Sequence, residues 1–342
     1  MPVAIVAVLG AVIPTTVYVW FIWWLDRYEK EPAWLLAVSF LWGAVPAAIL
    51  SVVLEMIADA SILAVSGEGL VGTLASVSVN APLVEESAKG VALLGLVLLF
   101  RREFDDVLDG IVYGAMIGFG FALSENLFAY FLPILSQEGL EAGLTNIFLR
   151  TIVFGFNHAF WTGVIGAAVA YARLARQWHR RLLAPVAGWS AAVVLHGIHN
   201  AGATLAEQTM CLSLVISLVV HWGGVLLLLA VAYLVSRRES EWIKRGLVEE
   251  VRRGTLTPVE YQLLSRSGQR RRVRWRALLD GGRRGHRAVG RYFQCATELA
   301  FKKQQLRTMG DEGGTLEEIG RLRQTLAASR SLAWPWLWPD AA

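Results

Sequence analysis

The apolar runs of this chain are too long for a water-soluble fold. Seven of them, at 3–25, 34–54, 71–100, 111–132, 147–172, 184–205 and 212–235, cover most of the first 235 positions. Each reaches about 20 residues or more, the length that carries a helix across a bilayer core. Hydrocarbon offers the backbone no partners, so a spanning segment must satisfy its own hydrogen bonds, and a helix does so. Composition agrees, with 55% hydrophobic and only 18% charged residues, where soluble domains are less apolar and more charged. The fold expected is all-α: a polytopic membrane helix bundle of about seven spans.

The links between the runs alternate in charge. Arg101-Arg102, then Arg173, Arg176, Arg180 and Arg181, then Arg237-Arg238 follow the third, fifth and seventh runs. The links after the second, fourth and sixth runs, 55–69, 133–146 and 206–211, hold acids and no base. Basic links stay in the cytoplasm. This puts the N-terminus outside and the C-terminus inside, as an odd span count requires. The first run lacks the basic flank of a cleaved signal and is kept as a span. Cys211 and Cys295 fall on opposite sides, so no internal disulfide is expected.

The chain therefore divides into 1–235, a membrane domain, and 236–342, a basic cytoplasmic tail. In the tail, Thr257-Pro258 reads as an N-cap followed by proline at the first helical position. Gly281-Gly282 reads as a break and 311–314 as a loop. The tail is expected to be mostly helical, with disorder near its end, where Pro335 and Pro339 argue against a long helix.

Ionisable side chains within spans are costly and default to function. The third run carries Glu85, Glu86 and Lys89, with both carboxylates placed to meet the lysine on one helix face. The fourth carries Glu125 beside Asn126, beyond a small-residue face of Gly114, Gly118 and Gly120 that admits a close neighbour. The fifth carries His158. The sixth carries His196 and Asn200, which share a face, with His199 displaced from it. His221 in the seventh is read as structural. At roughly 1.5 Å per residue, Glu125 lies about 12 Å, His196 about 15 Å, His158 about 16 Å and Glu85 about 20 Å from the outer ends of their runs. Four helices thus bring polar groups to one level.

Carboxylates and imidazoles at one depth suit activation of a water for peptide hydrolysis, and two routes stay open. In the metal-free route Glu85 or Glu86 takes the proton of a water that His158 orients, and His196 and Asn200 donate to the oxyanion. Glu125 is then a proton partner. In the other route His158, His196 and Glu125 hold zinc and a glutamate of the pair is the base. The rival from another class is a proton-coupled transporter using the same buried Glu/His relay, although no inverted repeat accompanies it.

The elements Glu85-Glu86-x-x-Lys89, Phe121-x-x-x-Glu125-Asn126, His158 and His196-x-x-x-Asn200, in this order, resemble the PrsW family of intramembrane proteases, relatives of the CAAX prenyl proteases. The segments 26–32 and 109–114 resemble that family too. The resemblance implies cleavage of a membrane protein within or near the bilayer, with an anti-sigma factor as the substrate in one branch. The CAAX prenyl proteases have histidine where Glu125 stands here, so their metal-free mechanism does not transfer unchanged.

The arginine-rich stretch of the tail reads as a patch for anionic lipid. No aromatic-interleaved or zinc-finger pattern supports nucleic acid as its partner. A reporter fused after Val235 is expected to report a cytoplasmic location; external labelling of that fusion would refute the topology.

Overall fold

The computed structural model describes residues 2–25, 30–67, 69–311 and 313–337. They form an all-α protein. Most of the chain before residue 234 forms one compact unit, and Leu234–Ala342 is the body of a second.

In the first unit, α1 is Pro2–Leu25, α2 is Ala33–Ser66 and α3 spans 70–99. Helix α4 is Val107–Gln137, α5 spans 140–153, α6 is Asn157–Leu174, α7 is Trp178–Thr204, and α8, Leu212–Arg252, begins in this unit and ends in the second. Among the described residues six segments are long and apolar enough to cross a membrane: α1, α2, α4, the α5–α6 pair, α7 and α8. Helix α3 has the length as well and carries Glu85, Glu86 and Lys89 inside it.

Several helices run past the ends expected from the sequence, and three differences bear on the site and its surroundings. The stretch 55–66, read as part of a link, is the last part of α2, which continues to Gly67, where φ of 75° ends it. Asp59 is anchored there, its Oδ1 accepting from Ser76 Oγ at 2.6 Å and Asn80 Nδ2 at 2.8 Å. The fifth run is two helices, parted at Phe154–Phe156. There the Tyr18 hydroxyl donates to the Thr151 carbonyl at 2.6 Å and its ring packs on Phe156 at 4.5 Å. Helix α8 runs 17 residues past Val235 without a break, since it ends at Arg252.

Helix α4 is the axis of this unit. Asp106 and Asp109 close its N-terminus as a reciprocal capping box, which satisfies otherwise orphaned amides. Gly110, Gly114 and Gly118, one turn apart, lie against the α6 backbone at Gly166, Thr162 and His158. Gly120 belongs to another face and abuts the Phe40 carbonyl of α2, while Gly43 of α2 abuts the Ile117 carbonyl of α4. The small-residue face is therefore two faces, and α4 is gripped from both. Backbone contact this close is open only to residues without a Cβ.

Four of these helices contain a wide, π-type turn: Gly43–Ala47, Ser76–Asn80, Glu125–Phe131 and Leu149–Val153. Each widening fits one extra residue into the helix, a distortion that gathers at functional sites. Proline explains the first, because Pro46 has no N–H to donate.

In the second unit, α9 is Pro258–Leu264, α10 is Ser267–Met309 and α11 is Thr315–Leu337. Thr257 caps α9 in a reciprocal box with Glu260. Gly282 kinks α10 at φ 56°. The core includes Leu247, Leu263, Tyr292, Leu299 and Leu326. Buried Glu250 accepts from Lys303 at 2.7 Å and from Arg323 at 2.9 and 3.0 Å. The expectation that Pro335 bars a long helix is corrected: α11 passes through it to Leu337. That proline lies two residues from the helix end, where few backbone bonds remain to be lost, and Trp336 packs where Gly281 and Gly285 leave room. The expectation for 338–342 lies outside the described residues. Both cysteines are free thiols, and burial pushes the Cys295 thiol up to about 11.

Gly118→Leu should cost about 3 kcal/mol or more by forcing α4 off α6, seen as a lower midpoint in detergent thermal unfolding. Gly95→Ala, with nothing within 4 Å of the added carbon, should leave the midpoint unchanged or raise it.

Candidate active site

Lys89 is wholly buried on α3, and its ammonium is the centre of the site. Its Nζ lies 3.0 Å from Glu85 Oε2, 2.8 Å from Glu86 Oε1 and 3.1 Å from His158 Nδ1. The Phe121 ring of α4 covers it, with its centroid 3.8 Å away. Glu85 and Glu86 reach it because they lie four and three residues earlier on one helix. His158 reaches it from the first turn of α6, which starts afresh after the Phe154–Phe156 break.

These contacts fix the protons. An ammonium only donates, so His158 Nδ1 accepts and its Nε2 carries the hydrogen. That Nε2–H donates to Glu125 Oε2 at 2.9 Å. Glu86 Oε1 also accepts from His196 Nδ1 at 3.1 Å, which leaves the His196 Nε2 lone pair open. The other Glu86 oxygen faces the Thr162 hydroxyl at 3.4 Å. Glu86 is therefore held at both oxygens. Glu85 Oε1 has no hydrogen-bond partner among the described residues, and Glu85 is 5% exposed. The His196 ring stacks on Trp161 at 3.8 Å and 14°.

The structure thus brings Glu85, Glu86, His158 and His196 together, with one ligand atom from each all within 4.8 Å of one another. Glu125 touches the cluster only through His158. Its carboxylate is paired with Arg150, which also reaches Asn126 Oδ1 at 2.5 Å and lies over the Tyr130 ring at 3.5 Å. Asn200 stands apart: its Nδ2 donates to the Val77 carbonyl at 2.8 Å, in the wide turn of α3. His199 bonds Ser217 Oγ at 3.1 Å, and His221 bonds the Ser217 and Leu195 carbonyls at 2.6 and 3.1 Å.

Sequence reading passed over Arg150, Thr162 and Trp161. Arg150 was open to discovery, being a base inside an apolar run. Thr162 and Trp161 carry no signal of their own. Asn157 Nδ2 and Trp161 Nε1, both buried on α6 beside His158, have no hydrogen-bond partner among the described residues.

A multi-span bundle with a buried acid–imidazole cluster fits hydrolysis inside the membrane, and likeness to known proteins agrees. Residues 31–236 match the PrsW family of intramembrane metalloproteases, and the chain belongs to this family of membrane peptide hydrolases. It is similar to Protease PrsW of Clostridioides difficile (strain 630), 24% identical over 214 residues, or 63% of this chain and 86% of that one. It is also similar to Protease PrsW of Geobacillus kaustophilus (strain HTA426), 28% identical over 179 residues, or 51% of this chain and 69% of that one. No solved structure matches.

The family description implies a metal. Two imidazoles and two carboxylates gathered within 4.8 Å are donors of the type zinc takes, with the Lys89 ammonium standing among them and holding the His158 Nδ1 lone pair. Of the His158, His196 and Glu125 expected from the sequence as ligands, His158 and His196 belong to this group, while Glu125 lies outside it, paired with Arg150 and His158 Nε2. Lys89 bonds three of the four residues in the group.

Arg150→Met should strip Glu125 of its main counter-charge and cost about 3 kcal/mol or more in stability. Adding Glu125→Gln should restore most of that loss in a double-mutant cycle of thermal unfolding. Additive losses would show the pair to be uncoupled.

Proposed function

We propose that this protein cleaves a peptide bond of a membrane-protein substrate inside the bilayer, with Glu85 as the general base. The observation that carries this is the inequality of the two adjacent carboxylates: Glu86 is bonded at both oxygens, while Glu85 keeps one free. A base needs an oxygen that can face the water it deprotonates.

The reaction follows from the contacts. A water bonded to Glu85 Oε1 and to the open Nε2 of His196 gives its proton to Glu85. The hydroxide adds to the scissile carbonyl carbon, and the carbonyl electron pair moves onto oxygen. Asn157 Nδ2 and Trp161 Nε1, buried beside His158 and unbonded among the described residues, are the N–H groups that take up that charge. The carbon–nitrogen bond then breaks, and Glu85 returns its proton to the leaving amine. Lys89 lies against both carboxylates and offsets the repulsion of two such groups set side by side. Glu86 and Lys89 position Glu85, His196 and His158, and Glu125 with Arg150 steadies His158. A divalent ion, where bound, would have to take the place of the Lys89 ammonium among His158, His196, Glu85 and Glu86, and it would make the bound water more acidic.

The substrate class implied by resemblance is an anti-sigma-factor-type membrane protein. Seven spans, α3 among them, with the C-terminus in the cytoplasm of a bacterial cell, complete the reading, on the strength of the alternating basic links.

Glu85→Gln should lower cleavage of a reconstituted substrate about 10³-fold while leaving the melting midpoint near that of the parent. Glu86→Gln should lower both activity and midpoint, since it loosens Lys89. Undiminished cleavage by the folded Glu85→Gln protein would refute the assignment.

A further inference from the structure

The second unit displays an apolar pair that its own core does not use. The inner face of α10 packs through Val273 and Ala277. At roughly 100° per residue, Trp275 and Leu279 fall about 160° and 200° around the helix from Ala277, on the opposite side. They are 63% and 69% exposed and stand one turn apart, so they make one patch. Arg271 and Arg272 fall at about 120° and 220° by the same geometry, one on each side of the patch, and both are exposed. Arg276, Arg283 and Arg284 are exposed as well. Between 266 and 291 there are ten arginines and one acid, Asp280.

This arrangement has a chemical match. An indole favours the headgroup level of a bilayer, a leucine one turn on enters the acyl boundary, and flanking guanidinium groups bind phosphate. We propose that this face of α10 docks on the anionic phospholipid surface of the membrane the same chain spans. Helix α8 leaves its apolar run and continues unbroken into this unit, so the lipid surface is present at high effective concentration.

The test uses the full-length chain. Gly268 lies about 180° from Ala277, is exposed and has nothing within 4 Å of an added carbon. Gly268→Cys in a Cys211→Ser background gives one reactive thiol, because Cys295 is buried and poorly ionised. The labelled protein is placed in nanodiscs containing headgroup-nitroxide lipid, in phosphatidylcholine alone or mixed with phosphatidylglycerol. Fluorophore quenching should be about threefold stronger in the anionic discs and should weaken as salt is raised. It should vanish in the Trp275→Ser/Leu279→Ser protein, whose thermal unfolding checks that the core is intact. Equal quenching in both lipids, or none in either, overturns the proposal. So does a label that ignores lipid charge and responds instead to an added oligonucleotide.

Discussion

A positive charge with no access to water holds this site together. The Lys89 ammonium lies 2.8–3.1 Å from two carboxylates and an imidazole and beneath an aromatic ring. Burying that charge alone would cost several kcal/mol. Burying two carboxylates side by side would be as unfavourable. Together they become tolerable, because each satisfies the other, and the arrangement reaches across helices: α3 supplies the lysine and both acids, α4 the ring, α6 His158, and α7 His196 through Glu86.

The close approach of α4 and α6 makes this geometry attainable. Gly118 lies directly against the backbone of His158. Any side chain there would push α6 outward and lengthen the contact between His158 and Lys89. The glycine row and the charged cluster are thus one design: small residues bring the helices close enough for the polar side chains to meet without water. Where the polar demand is greatest, the helices widen, with Glu125 opening one such turn and Arg150 lying in another.

Much of this was legible in the sequence. Run length gave the membrane helices, and cost argued that Glu85, Glu86, Glu125, His158 and His196 should meet. The shared level of Glu85, His158 and His196 is realised as one cluster. What stayed hidden depends on which partner claims a side chain. Glu125 has the chemistry of a ligand, but Arg150 from another helix claims it. Asn200 has the chemistry of an oxyanion donor, yet a carbonyl freed by the wide turn of α3 takes one of its hydrogens. Gly120 looks like part of the Gly114–Gly118 row, but its angle on the helix turns it to α2. Helix ends were read from composition alone, so 55–66 was assigned to a link although nothing before Gly67 breaks the helix.

The wide turn at Ser76–Asn80 has a consequence for how such a chain can change over time. It stores a surplus residue inside a helix, five positions ahead of Glu85. Losing that residue would leave an ordinary helix, fully hydrogen-bonded and still apolar enough for lipid. Yet everything after it would swivel by about 100°, turning the acids away from the imidazoles. Ancestry by single-residue gain or loss is therefore tolerated at the ends of these helices and forbidden in their middles, where length itself sets the aim.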